Sequence, residues 1–419
     1  MKRKNSFFIL ILLGLLGGCG RSVEADLFVL EQNGQEIKQD IEQSEQKKWE
    51  MEQDGQQEEQ GNLDVVCIFT EEEEEKLQED AIRAAEGCMD FYKDVEVVTS
   101  KEDYSYIKIF TDEKRKMVVE RLGEQGLIGV SDNDNMKNYS RIYEFYQDYC
   151  DGKEGMITVF KVDRDGEISA LTFLYREGKM QSYHVRIGWK EGGIPKIRRV
   201  VVNDLAEIKL TEKGYFIYTN LVTKGYSNLR EYFRVQPLSD ECRRLTEKYL
   251  YGLSYVNYNM LVIDWDSRNV EEILMPCMFQ DIYRVYTREN FRAEYGRIPA
   301  EICEEVMTTC FPISVEQLRN AYCYDFDSNS YKYEIILSKQ FPPFGEVVDY
   351  KKNEDGTITL IVDGVWADYN SDCAFTNQIV IEPFEDGTWR YLSNSIEKRE
   401  LEIPQIRDTD NTIDKTVIK

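Results

Sequence analysis

Met156-Ile-Thr-Val-Phe-Lys-Val162, Ile168-Ser-Ala-Leu-Thr-Phe-Leu-Tyr175 and Gln181-Ser-Tyr-His-Val-Arg-Ile-Gly188 follow one another with Asp165-Gly166 and Glu177-Gly178 at the joints. β-branched and aromatic side chains dominate each run, and residue type alternates along it as it does on a pleated strand with two different faces. Asp-Gly and Glu-Gly between such runs are tight-turn chemistry, because glycine accepts the positive φ that a short hairpin needs. Residues 196–202, 207–210 and 215–220 continue the pattern, with Glu191-Gly192-Gly193 before the first of them. The expectation is an antiparallel meander of six strands.

Helical periodicity flanks this meander on its N-terminal side. Thr70 followed by Glu73 is a capping box, and Glu71 to Glu75 place negative charge on the positive end of a helix dipole. Leu77, Ala81, Ala84, Cys88 and Tyr92 recur on one helical face. A strand-like run, Asp64-Val65-Val66-Cys67-Ile68-Phe69, precedes them, and helices are predicted at 112–122, capped by Thr111 and stopped near Gly123, and at 136–149. The second half repeats the pattern loosely. Helices are predicted at 239–253, 299–309 and 314–321 around a mixed aromatic region at 255–286. Phe341-Pro342-Pro343-Phe344-Gly345 is a rigid turn, after which strands are predicted at 346–350, 357–363, 376–383 and 388–395. Helices followed by a meander form an α+β domain. The fold class is therefore α+β, with two helix-plus-antiparallel-sheet domains at 63–225 and 226–397, a boundary near Tyr226 and a charged flexible tail at 398–419.

The amino terminus, MKRKNSFFILILLGLLGGCG, has the order of an export signal: Lys2, Arg3 and Lys4, then an apolar run from Phe7 to Leu16, then small residues before Cys19. The apolar run is about half of the roughly 20 residues that span a bilayer. It is expected to be removed as a signal peptide of residues 1–18. Residues 32–62 are rich in Gln, Glu, Asp, Lys and Gly and poor in apolar side chains. Such a composition cannot offset chain entropy by burial, so 19–62 is read as a disordered acidic, Gln-rich tether. Its r.m.s. reach as a flexible coil is roughly 35 to 40 Å.

Composition narrows the function. The chain has 419 residues, 52 Lys+Arg against 78 Asp+Glu, a net charge of −26 and one histidine. Removing Lys2, Arg3 and Lys4 with the signal takes the mature chain to −29. Nucleic-acid affinity comes from cations that release phosphate counterions, so no nucleic-acid partner is expected. A single imidazole excludes a multi-His metal centre. Any Ser-His-Asp or Cys-His machinery would have to use His184, and no G-x-S-x-G elbow accompanies it. In a strand, Ser182, His184 and Arg186 share one face, the more polar one.

After Cys19, nine cysteines remain, without a C-x-x-C pair. Cys303 and Cys310, seven apart on a predicted helix, lie about 10 Å apart and beyond disulfide reach. Most of the nine read as core thiols, with room for one or two disulfides outside the membrane. Asp163-Arg-Asp165-Gly166 and Asp325-Phe-Asp327-Ser-Asn329 resemble calcium loops, but each lacks ligands that such a loop needs, and turn chemistry accounts for both. There is no phosphate-binding glycine loop. The 78 acids single out no carboxylate pair for glycoside hydrolysis. No catalytic, cofactor-binding or metal residue is assigned, and no cofactor is expected. Tyrosine is abundant, at 27, with clusters at 139–149, 249–258 and 322–333.

Leu16-Gly17-Gly18-Cys19 resembles the lipobox of bacterial lipoproteins: a branched apolar residue, two small residues, then cysteine. The resemblance implies cleavage before Cys19, acylation of its sulfur (a palmitate-type modification) and a chain held by lipid on the outer, extracytoplasmic face of the cell membrane. Phe344-Gly-Glu-Val-Val-Asp-Tyr-Lys-Lys-Asn-Glu-Asp-Gly-Thr-Ile-Thr-Leu-Ile-Val-Asp-Gly-Val-Trp366 with Asp372-Cys-Ala-Phe-Thr376 is similar to the C-terminal part of uncharacterised lipoproteins from anaerobic Gram-positive bacteria. It implies a location and no activity. The arrangement of helices on a curved antiparallel sheet is similar to NTF2-like and cystatin-like folds. The expected role is a non-catalytic binding or interaction protein with an unknown protein or ligand partner. A solute-binding lipoprotein of a transporter and a carboxylate-dependent cell-wall hydrolase are the alternatives.

Overall fold

The meander forms around one strand that is longer than the sequence predicts. β7 (Ile194–Leu210) has 17 residues and joins what read as two strands. The computed structural model that places it describes residues 66–99, 105–221, 229–253, 255, 260–334 and 343–401. The signal segment, Cys19, the tether, Asp64, Val65, Tyr226, Phe341, Pro342 and residues 402–419 lie outside that set. Among the described residues are seven α-helices and sixteen strands, and the fold is α+β.

The chain starts with α1 (Glu71–Glu86), whose capping box is present in full: Thr70 accepts from Glu73 N while Glu73 accepts from Thr70 N. The same Glu73 carboxylate takes two bonds from Arg176, at 2.6 and 3.1 Å, and this pairing holds its acid down to about 2. Residues 66–69 do not form the strand predicted there. Their backbone is held by a side chain instead, Gln181 accepting from Ile68 N at 2.8 Å and donating to Val66 O at 2.9 Å. A 3-10 turn (Met89–Phe91) and the short hairpin β1 (Val97–Thr99) with β2 (Ser105–Ile107) follow.

α2 (Asp112–Glu124) is capped by Thr111 as expected. β3 (Ile128–Val130) was not legible in the sequence, and α3 (Ser140–Cys150) starts four residues later than its periodicity predicts. Asn138 explains the late start: its φ of 54° is left-handed, and its amide donates to Gly123 O and Leu127 O rather than joining a helix. α3 is the crossover that makes β3 pair in parallel with β4 (Gly155–Val162), so one edge of the meander departs from the antiparallel expectation.

From β4 the strands run antiparallel in chain order: β5 (Ile168–Arg176), β6 (Lys179–Lys190), β7, β8 (Tyr215–Asn220) and β9 (Leu229–Arg234), the last of them not predicted. β7 pairs with β6 over Ile194 to Asp204 and with β8 over Leu205 to Leu210, with bulges at Arg186/Ile187 and Leu205/Glu207. Bulges increase twist, and here β8 and β9 curl back over the sheet. Phe216 and Tyr218 come within 5.1 and 5.0 Å of the Phe173 ring on β5, and Phe233 within 6.5 Å. This inner face, closed by Ile142 and Phe145 of α3, encloses one apolar core. α1 and α2 cover the outer face, where Tyr92, Trp189 and Phe110 stack.

The second half opens with α4 (Asp240–Leu250), capped by Ser239. Within the aromatic region lie a 3-10 turn (Val270–Ile273) and α5 (Phe279–Thr287), which the sequence reading passed over. β10 (Arg297–Pro299), α6 (Ala300–Cys310), α7 (Val315–Ala321), β11 (Tyr324–Asp325) and β12 (Ser330–Lys332) follow, the three strands forming a small sheet. Then β13 (Phe344–Lys352), β14 (Ile358–Trp366), β15 (Ser371–Pro383) and β16 (Trp389–Lys398) form the second meander. Its core contains Leu245, Phe279, Val306, Leu318, Leu360 and Tyr391. Val347 N donates to Thr246 Oγ1 at 2.8 Å, tying α4 to β13.

Charge and rings join the two sheets. Tyr215 and Ile217 of β8 pack with Val365 and Ala367, and Tyr232 stacks on Phe344. Glu346 is buried among them, accepting from Tyr215 OH at 2.9 Å and pairing with Arg234. Nearby, Lys213 Nζ pairs with the buried Asp363 and its backbone N donates to Asp372 at 2.7 Å. Removing one member of a buried pair strands the other, at a cost of roughly 3 to 5 kcal/mol. Glu346→Ala should therefore lower unfolding stability by about that amount in urea titrations. An unchanged midpoint would show that the pair does not join the sheets.

Candidate functional site

On the inner face of the wrapped sheet, polar side chains take over where the aromatic core ends. Alternation along β6 puts Met180, Ser182, His184 and Arg186 on this face in that order, so the strand passes from core to open mouth. Register supplies the neighbours: Leu171 and Val201 flank His184, Ser169 and Arg199 flank Arg186, and Asn203 lies beside Ser182. β8 and β9 bring Tyr218, Asn220 and Glu231 to the same face.

The carboxylates here already have partners. Asp163 accepts from Ser169 Oγ at 2.8 Å and lies 3.7 Å from Lys161 Nζ, which pairs with Asp132 at 3.1 Å. Glu167 holds Arg186 and Arg198, each at 2.9 Å. Arg198 packs across Gly188, so a side chain at 188 would displace it. Glu231 accepts from Tyr218 OH at 2.7 Å and Asn220 Nδ2 at 3.0 Å. Burial pushes the acids of Asp163 and Glu167 up against the pull of their cations, whereas at Asp132 Lys161 and Arg164 overcome burial and hold the acid down.

Four polar atoms on this face are buried without a hydrogen-bond partner among the described residues: Ser182 Oγ, His184 Nε2, Arg186 Nε and Asn220 Oδ1. Ser182 is 0% and Asn220 7% exposed. Leaving a buried polar group unmet costs ~1 to 3 kcal/mol, so four such atoms on one face give it hydrogen-bonding capacity that water or a ligand can meet. Arg199 is exposed and forms no ion pair among the described residues.

His184 is thus on the polar face, as its strand position predicts. Burial, then Arg186, Arg199 and Lys161, lower its pKa to about 4. Among the described residues it is cations that act on it, and with burial they keep the imidazole a neutral hydrogen-bonding group.

The other sequence candidates fall elsewhere. None of the nine described cysteines forms a disulfide, so the one or two bridges that the sequence left room for are not made; Cys88 and Cys310 are buried, which pushes both up to about 12. Cys373 Sγ donates to Asp363 at 3.3 Å beneath Lys213. Gly166 N bonds to Asp163 O, and Asp325 Oδ1 accepts from Asp327 N and Ser328 N, so both acidic loops are turns. Of the tyrosine clusters, 249–258 and 322–333 place Tyr249, Tyr322 and Tyr331 in the core, while Tyr139 and Tyr143 beside and on α3 remain exposed. Ser182, Arg199 and Asn220 were not singled out by sequence. Strand register sets Asn203 beside Ser182 and Arg199 beside Arg186, and β9 brings Glu231 to Asn220, pairings that lie far apart in sequence, although the shared face of Ser182 and His184 was a local signal.

A neutral imidazole should make the fold acid-sensitive. The unfolded chain, with an imidazole near 6.5, binds a proton before the folded chain does near 4. The unfolded state therefore holds more protons in that window, and stability is full above the upper value and falls as pH drops toward the lower one. About 2 kcal/mol is expected after allowing for partial exposure. Urea midpoints at about pH 7.5 and about pH 4.5 should diverge more for wild type than for His184→Gln, and equal differences would refute the assignment.

A family described as a family of unknown function, DUF6070, matches residues 74–408. No curated protein and no solved structure matches the chain.

Proposed function

The chain belongs to the DUF6070 family, whose function is unknown, and from its own residues we propose that it is a lipid-anchored, extracytoplasmic binding protein without catalytic activity. The observation that carries the binding reading is the polar mouth on the larger sheet, where Ser182, His184, Arg186 and Asn220 hold unmet hydrogen-bonding capacity. Binding is favoured over catalysis because burial and the cations Arg186, Arg199 and Lys161 lower the pKa of the one histidine, and among the described residues no carboxylate orients it as a base. Both meanders are predominantly antiparallel, which argues against the alternating strand-helix lobes of a transporter's solute receptor. The location rests on the sequence: a basic start, an apolar run and Leu16-Gly-Gly-Cys19, similar to the precursors of bacterial lipoproteins. Two acyl chains suffice for stable anchoring, and a net charge of −26 before processing would hold the body off an anionic surface.

Palmitate labelling tests the anchor: wild type should incorporate label and Cys19→Ala should not, whereas equal labelling would overturn it. The binding reading is tested by melting the full chain against fractions of the surrounding medium. A fraction holding the ligand should raise the melting temperature and be recovered chemically unaltered. Recovery of an altered compound would overturn the non-catalytic reading.

A further inference from the structure

In a chain of net charge −26, the surroundings of the one imidazole are cationic. Arg186 from β6, Arg199 from β7 and Lys161 from β4 act on His184, and no acid among the described residues does. The facing acids are engaged elsewhere: Asp163 by Ser169 and Lys161, Asp132 by Lys161 and Arg164, Glu167 by Arg186 and Arg198, Glu231 by Tyr218 and Asn220. What is left over has a definite chemistry. Arg199 is a cation without an ion pair among the described residues, Arg186 keeps an unmet Nε–H beside the pair that it makes with Glu167, Ser182 Oγ can donate or accept, Asn220 Oδ1 accepts, and a neutral His184 can do either through Nε2. Guanidinium groups meet oxyanions through paired, charge-assisted hydrogen bonds. A leftover amide oxygen and hydroxyl call for a donor on the ligand. Two of these groups, Ser182 and Asn220, are more than nine-tenths buried, so the capacity is built into the fold.

We propose that the polar mouth binds a small oxyanion that carries a hydroxyl group, with Arg199 and Arg186 on the anionic group and Ser182, His184 and Asn220 on the hydroxyl side. This deepens the binding reading and rests on it for the site, though not for the membrane anchor. A hydroxycarboxylate and a protonated phosphate share this chemistry.

The lone histidine gives the test its readout. In the full chain in detergent, without a histidine tag, the imidazole Cε1–H is a single proton resonance. It should shift saturably on titration with inorganic phosphate or with lactate, and the probe that works identifies the anionic group. Arg199→Ala should weaken that binding roughly tenfold or more, the loss expected for one charge-assisted hydrogen bond. Ser182→Ala should weaken it with Arg199 intact, and circular dichroism should show both variants folded. Lys179→Ala, on the opposite face of β6, should leave it unchanged. No shift with either probe overturns the proposal, as does a shift that persists undiminished in both mouth variants or is lost equally in Lys179→Ala. A saturable shift with no palmitate on Cys19 would sink the anchor alone. Labelled Cys19 with no shift would sink the oxyanion alone.

Discussion

The change of partner along β7 is the constraint on which the rest of the larger sheet depends. One strand cannot pair with β6 over its first part and β8 over its second without offsetting the two ladders, and the bulges at Arg186/Ile187 and Leu205/Glu207 absorb that offset as twist. The consequence is two unlike faces. The inner face wraps Phe173, Phe216, Tyr218 and Phe233 into a core and ends in the polar mouth. The outer face of β8 and β9 is left free to meet the second meander, where Tyr215, Ile217 and Tyr232 reach Val365 and Phe344.

Buried charge specifies how the halves meet. Hydrophobic contact between Tyr215, Tyr232 and Phe344 is tolerant of small slips, but Glu346 is satisfied only when both Tyr215 and Arg234 reach it. Lys213 imposes a second condition, its ammonium on Asp363 and its backbone N on Asp372. Such pairs contribute little net stability against an apolar replacement, yet a misplaced half would leave both charges stranded. A similar economy governs the mouth. Its acids are consumed by neighbouring cations and hydroxyls, so the groups left over are mainly donors, set by the arrangement of pairs and not by net charge.

Much of the architecture was legible because it rests on local rules. The capping box at Thr70/Glu73 and the cap at Thr111 appear where the sequence places them, and the helices predicted from 239 and 314 start behind caps at Ser239 and Ser314. Asp355-Gly356 and Glu385-Asp386-Gly387 join strands of the second meander, with Gly356 and Gly387 at positive φ. The misreadings share a cause. Asn203 and Asp204 look like a break, but Gln181 and Leu221 bond to Asp204, and β7 continues through it. β3 is too short to show a period, and it exists because α3 returns the chain alongside β4. In the aromatic region, α5 is held by partners far along the chain, Tyr333 OH donating to Gln280 Oε1 at 2.6 Å, which leaves no local trace.

By itself, the sequence determined the α+β class, most helices and strands of the two meanders, and the placing of its one imidazole on the polar face of a strand. These follow from periodicity, caps and turns, which act over a few residues. Tertiary structure alone decided that the imidazole would be neutral, that Arg199 would form no ion pair among the described residues, and that Ser182 and Asn220 would be buried on the inner face with unmet polar atoms. Those outcomes depend on burial and on pairings across strands dozens of residues apart, and no local pattern encodes which acid each cation will find.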